Sequence, residues 1–121
     1  MNAVPSFAGH GYGSNVVRTP RDVEYEAFSR VTRMLREAAQ DGRGVGWVAA
    51  IHKNNQLWTM LAGDLASQGN GLPDTLRAQL LSLASFSLRH GDLAMAGKAS
   101  VDPMIDINMA MMRGLRQEIA S

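Results

Sequence analysis

The side chains best suited to metal ligation or proton transfer near neutral pH are three histidines, His10, His52 and His90. A metal site needs ligands whose spacing brings them onto one face, and none of these stands at such a spacing from another histidine or a carboxylate. His52 reads as solvated. His90 lies two residues from Asp92, a spacing at which two side chains cannot share a helical face. Serines are plentiful, yet none sits in the strand-turn-helix elbow that activates a nucleophile. Cysteine is absent, which removes thiolate ligands, thiol nucleophiles and disulfides, and gives no reason to expect an oxidising compartment. Gly9-His10-Gly11-Tyr12-Gly13 has the glycine density of a phosphate-binding loop. It lacks a preceding strand, a closing Lys-Ser/Thr and the dinucleotide spacing. No paired carboxylates are marked out. The expectation is a protein that binds other macromolecules, with no catalytic residue, no cofactor and no metal.

Composition narrows the partners. The 121 residues are the length of one domain, and 45% hydrophobic content supports a single packed core. Charged residues are 19% and the net charge is +1, so there is no concentrated basic field for nucleic acid or an anionic membrane. No apolar stretch approaches the roughly 20 residues that a spanning helix needs. The N-terminus has no basic segment followed by an apolar run, so no secretory signal is expected and the location reads as cytoplasmic.

What must position any functional surface is helical. Residues 1–18 hold Pro5, Gly9, Gly11 and Gly13 with few apolar residues to bury, and read as a flexible Gly/Pro-rich tail. Residues 19–121 read as one helical domain. Thr19 caps and Pro20 opens a first helix to about Gln40, with Tyr25, Phe28, Val31, Leu35 and Ala38 or Ala39 at helical spacing. Asp41-Gly42-Arg43-Gly44 ends it. A second helix covers about Val45 to Leu65 or Ala66. It faces inward through Trp47, Ala50, Ile51, Leu57, Trp58, Leu61, Ala62 and Leu65, with His52, Lys53, Gln56 and Thr59 pointing away. After the turn at residues 67–71, a third helix runs from Pro73 to at least His90 and at most Gly97. Leu76, Leu80, Leu83, Ala84 and Leu88 form its stripe, and Gly91 predicts a bend. A fourth begins near Ser100 or Asp102 and ends around Gln117. No alternating run of strand length occurs, so the fold class is all-α: a compact four-helix, bundle-like domain with a flexible N-terminal tail.

The fourth helix has too little polar surface for an ordinary surface helix. Val101, Met104, Ile105, Met111, Met112 and Leu115 form one stripe, Ile107 and Met109 widen it on both sides, and Ala110 and Gly114 add small residues four apart. Either the other three helices cover it centrally, or part of its methionine-rich surface is a docking groove for a partner helix, methionine being flexible and polarisable. Candidate contacts are Ile107, Met109 and Met111, with Met60 on the outer side of the second helix. Asn54 and Asn108 each sit in the middle of an apolar stripe. A buried amide without partners costs roughly 1–3 kcal/mol, so each is expected to be hydrogen-bonded inside the fold, to the other or to opposing backbone, as a structural polar residue.

Three groups of residues carry a family resemblance. They are Thr19-Pro20-Arg21-Asp22 with Glu24, Tyr25 and Phe28; His52 and Asn54 with Leu57-Trp58, Leu61 and Asp64; and Asp106-Ile107-Asn108 with Ala110 and Met112-Arg113-Gly114-Leu115. In this order, with Leu72-Pro73 between the last two, they resemble the FlaF family of flagellar biosynthesis regulators from alphaproteobacteria, over about Arg18 to Arg116. The Gly/Pro-rich N-terminal segment departs from the family pattern. The resemblance implies a small helical cytoplasmic protein that promotes flagellin synthesis or secretion, binds flagellin and acts in concert with FlbT, a regulator of flagellin translation. Two functions are therefore expected in competition. One is a flagellin-binding secretion chaperone and positive regulator. The other is a regulator acting through FlbT or flagellin messenger RNA, the RNA version being the poorer at net charge +1. RNA contact would need Arg18, Arg21, Arg113 and Arg116 on one face and would weaken steeply with salt. A homo-oligomer that consumes the methionine surface is a third possibility.

Overall fold

The computed structural model describes residues 20–42 and 44–120. The tail expected over residues 1–18 and the cap expected from Thr19 lie outside the described residues. Four helices follow one another: α1 (Pro20–Asp41), α2 (Val45–Ala66), α3 (Asp74–Met95) and α4 (Asp102–Ala120). No strand occurs among the described residues, so the fold is all-α as the periodicity predicts. No described helix is long and apolar enough to cross a membrane.

Local chemistry sets the helix ends. The backbone turns to positive φ at Gly42 (89°) just past α1, in the region that only glycine enters freely. Helix α3 closes in a Schellman motif: the Lys98 amide donates to the Leu93 carbonyl at 2.8 Å and the Gly97 amide to Ala94 at 3.0 Å, with Gly97 at φ 78°. Trp47 adds its indole N–H to the same Ala94 carbonyl at 3.1 Å, which ties the start of α2 to the end of α3. Helix α4 opens on the Val101 carbonyl, which accepts from the Met104 and Ile105 amides. It runs three residues beyond the expected end at Gln117.

Short turns connect successive helices. The pairs α1–α2, α2–α3 and α1–α4 pack extensively, α3–α4 lightly, and the two diagonal pairs barely meet. The result is an up-down-up-down ring. A central place for the fourth helix, one of the two expectations from its girth, is not what forms. In a ring each helix keeps an outer face, and Asp106, Ala110, Arg113 and Gly114 of α4 are exposed. The helix with the largest buried face is α2, where Trp47, Ala50, Ile51, Asn54, Leu57, Trp58, Leu61 and Leu65 are all enclosed.

Helix α3 departs from the leucine stripe expected of it. Its fully buried residues are Ala84, Ser87, Gly91 and Ala94, while Leu80, Leu83 and Leu88 are only half-buried and Leu76 is exposed. A line of small residues lets α3 approach the bulky face of α2, and its leucines are displaced to the two flanks. Gly91 is the tightest point. The helix runs through it uninterrupted, and an added Cβ would collide with Asn55 Oδ1 and stand 3.2 Å from Asn55 Cγ. That oxygen is buried without a hydrogen-bond partner. The glycine serves close approach. Gly91→Ala alone is therefore expected to destabilise by about 1 kcal/mol. In an Asn55→Ala background the same change should instead stabilise by up to about 1 kcal/mol, the helix-propensity gain. Urea denaturation of the four proteins measures this coupling, and equal effects in both backgrounds would refute the close-approach role.

Candidate functional site

The interior carries one directed polar chain. Trp58 Nε1 donates to Asn108 Oδ1 at 2.9 Å, Asn108 Nδ2 to Asn54 Oδ1 at 2.8 Å, and Asn54 Nδ2 to Ser87 Oγ at 3.3 Å. Trp58, Asn54, Asn108 and Ser87 are all 0% exposed. The direction is forced, because an indole nitrogen only donates. Asn108 must offer its oxygen to Trp58, which turns its amide NH2 to Asn54 and leaves Asn54's NH2 for Ser87. The chain crosses from α2 to α4, a diagonal pair with almost no backbone contact, and reaches α3 through Ser87. Phe28 of α1 meets Trp58 edge-on, at 5.5 Å between ring centroids and 74° between planes. All four helices converge on this one indole and its amide partners.

A second polar set closes the α2–α3 turn. Asn70 Nδ2 donates to Asp64 Oδ2 at 3.1 Å, and Ser67 donates to the Asp64 carbonyl through both its hydroxyl (2.8 Å) and its amide (3.1 Å). The Leu72 amide returns to Asn70 Oδ1 at 3.2 Å, and Arg77 Nε reaches the Leu65 carbonyl at 3.0 Å. Burial raises the Asp64 pKa above its ordinary value, and the Asn70 hydrogen bond pulls it down. This carboxylate holds a turn.

Of the histidines, His10 lies outside the described residues. His52 is exposed on α2. His90 Nε2 lies 2.8 Å from the Ser100 carbonyl, an acceptor only, so that nitrogen carries a proton; the ring stacks on Phe86 at 5.6 Å. It joins α3 to the loop entering α4. Among the described residues no group of three metal-capable side chains converges.

The partner-contact candidates divide between two surfaces. Ile107 and Met111 are half-buried and pack on the core edge. Met109 Sδ accepts from Arg36 Nη2 at 3.2 Å and so marks the α1 side of α4. At about 100° per residue, positions two before and two after Met109 fall on the opposite flank, toward α3. Met60, 44% exposed, stands apart on α2. Ile107 and Met111 thus come together, while Met109 and Met60 do not join them.

Sequence reasoning missed two of the large apolar side chains exposed on α3, Phe86 at 40% and Leu93 at 47%. Val45 and Val48, at the start of α2, are exposed too. The signal for the first pair was present. Phe86, His90 and Leu93 recur at the i, i+4, i+7 spacing of one helical face, beside the leucine stripe and separate from it.

A family model described as flagellar protein FlaF matches residues 11–115. Neither a curated protein nor a solved structure matches the chain. The motif residues of that resemblance have clear places in the fold. Phe28, Asn54, Leu57, Trp58, Leu61, Asn108 and Leu115 are buried, and Asp64 anchors the turn.

Breaking the polar chain should be costly in a specific way. Asn108→Leu leaves the Trp58 N–H and the Asn54 oxygen without partners and is expected to destabilise by about 2–4 kcal/mol. Trp58→Phe removes the donor together with part of a buried ring and should cost about 2–4 kcal/mol. Because the two share a bond, the double variant should lose at least about 0.5 kcal/mol less than the sum of the singles. Strict additivity in chemical denaturation would contradict the direct link.

Proposed function

The chain belongs to the FlaF family of flagellar proteins, and from that membership we propose that it is a flagellin-binding secretion chaperone and positive regulator of flagellin synthesis in flagellum assembly. It acts by binding and not by catalysis, in the cytoplasm, before its partner is exported. The observation that carries this reading is apolar surface left over after the core has closed. Leu76, Phe86, Leu93 and Met95 stay exposed on α3 and Met60 on α2, around a core that already encloses both tryptophans. Such surface is what a subunit with amphipathic terminal helices would need if it is to be kept from self-association until export.

The reading also accounts for the chemistry of the rest of the molecule. The buried polar chain and the turn around Asp64 are both occupied in holding helices together. Regulation of flagellin synthesis would follow from the same contact, since a protein that senses unassembled flagellin can report its level to FlbT.

The purified protein is expected to bind purified cognate flagellin at micromolar concentrations, read by co-elution and by titration. Binding should change little between low and moderate salt, because the contact is apolar. Capture of FlbT with no capture of flagellin would replace this reading by regulation through FlbT. A steep loss of binding with salt, on flagellin messenger RNA and not on flagellin, would point to the RNA instead.

A further inference from the structure

The dipeptide Asn-Gly occurs once in the sequence, at Asn70-Gly71, in the turn between α2 and α3. It carries its own chemistry. A backbone nitrogen can attack the side-chain amide of the asparagine before it and close a five-membered imide, and glycine alone has no side chain to obstruct the approach. The turn meets that steric demand. Gly71 is exposed at φ 86°, and a Cβ built there would meet nothing within 4 Å. Its amide, the nucleophile, has no hydrogen-bond partner among the described residues. Asn54, Asn55 and Asn108 stand inside α2 and α4, where the amide that follows each is engaged in its helix.

The asparagine side chain, by contrast, is held at both ends. Oδ1 accepts from the Leu72 amide at 3.2 Å, and Nδ2 donates to Asp64 Oδ2 at 3.1 Å. Asp64 is itself fixed, because its carbonyl takes both the hydroxyl and the amide of Ser67. We infer that Asn70 is a site of spontaneous deamidation, and that Asp64 is the positioning residue that restrains it by holding Nδ2. An amide nitrogen that donates to a carboxylate keeps both its electron density and its place, and each opposes its departure. Reaction then waits on local opening of the turn.

The chemistry needs only water. The Gly71 nitrogen gives its proton to solvent base and bonds to Asn70 Cγ. The Cγ–Nδ2 bond breaks, and Nδ2 leaves as ammonia with a proton from water. Water then opens the imide at either carbonyl, leaving aspartate or isoaspartate at position 70. The product inverts the contact with Asp64. A donor becomes a carboxylate, so two negative groups face each other where burial already raises the Asp64 pKa. Arg77, the cation of this turn, is engaged by the Leu65 carbonyl and by Asp74 at 3.5 Å. Isoaspartate also lengthens the backbone of a turn whose ends are fixed in two helices.

The test incubates the full chain at mildly alkaline pH and follows each asparagine by peptide mapping and mass spectrometry. Position 70 is expected to convert at least about tenfold faster than Asn2, Asn15, Asn54, Asn55 or Asn108. Asp64→Ala should speed it by about tenfold or more, the rate equivalent of one hydrogen bond to a charged group. Asp64→Asn, which keeps an oxygen for Nδ2 to donate to, should stay within about threefold of the parent. The parent unfolded in urea gives the unrestrained rate without any variant, and should exceed the native rate by about tenfold or more. Asn70→Asp should melt roughly 3–8 °C below the parent, with Asp64→Asn in that background recovering most of the loss. Conversion at position 70 no faster than at the other asparagines would overturn the site. Equal rates in the native parent, in Asp64→Ala and in urea would overturn the role of Asp64. An Asn70→Asp variant as stable as the parent would overturn the repulsion.

Discussion

The indole of Trp58 has one hydrogen to give, and it gives it to Asn108 across the diagonal of the ring. From that bond the orientation of two further amides follows, and the last of them reaches Ser87. Apolar packing alone tolerates sliding, because one leucine substitutes for another along a greasy seam. A buried amide does not, since shifting α4 by one turn would carry Asn108 about 5.4 Å from its partners and leave several polar groups unpaired in the interior. The registers of α2, α3 and α4 are therefore set by one chain of hydrogen bonds. Phe28 brings α1 to the same indole through an aromatic edge.

Where the bulky residues go decides what is left outside. Helix α2 contributes the tryptophans and the long aliphatic side chains, so its neighbour α3 must be thin at the contact. Ala84, Ser87, Gly91 and Ala94 supply that thinness. The cost of the arrangement is that α3's own large side chains have no place in the centre and line its flanks. One flank packs toward α2. The other faces the sparsely packed seam with α4, and there Phe86 and Leu93 stay in contact with solvent. The surplus apolar surface on this seam is thus a consequence of how the core is filled.

Much of this was legible in the residues. The four helices, their approximate ends and the absence of strands follow from periodicity and from the Gly, Pro and Asn punctuation, because both are local properties of the chain. The family likeness was also readable, from Asn54-x-x-Leu57-Trp58 and Asn108 among others, and so was the anomaly of two amides in apolar stripes. What local pattern cannot carry is the choice among faces. A helix with Leu76, Leu80, Leu83, Ala84 and Leu88 looks as if its leucines point inward. Whether they do depends on the volume of the helix opposite, which is a property of the pair.

The sequence by itself determined the elements, the fold class, the family and the need of Asn54 and Asn108 for partners, since each of these rests on spacing or on the hydrogen-bonding capacity of single side chains. Tertiary structure alone decided that those partners are each other, Trp58 and Ser87. It also separated Met109, held against Arg36, from Ile107 and Met111, and put the large exposed apolar side chains on α3 and α2, where part of α4's methionine-rich surface had been expected. The physical reason is the same in each case. Which flank of a helix is covered depends on the size and position of its neighbours, and those are fixed only when the ring closes.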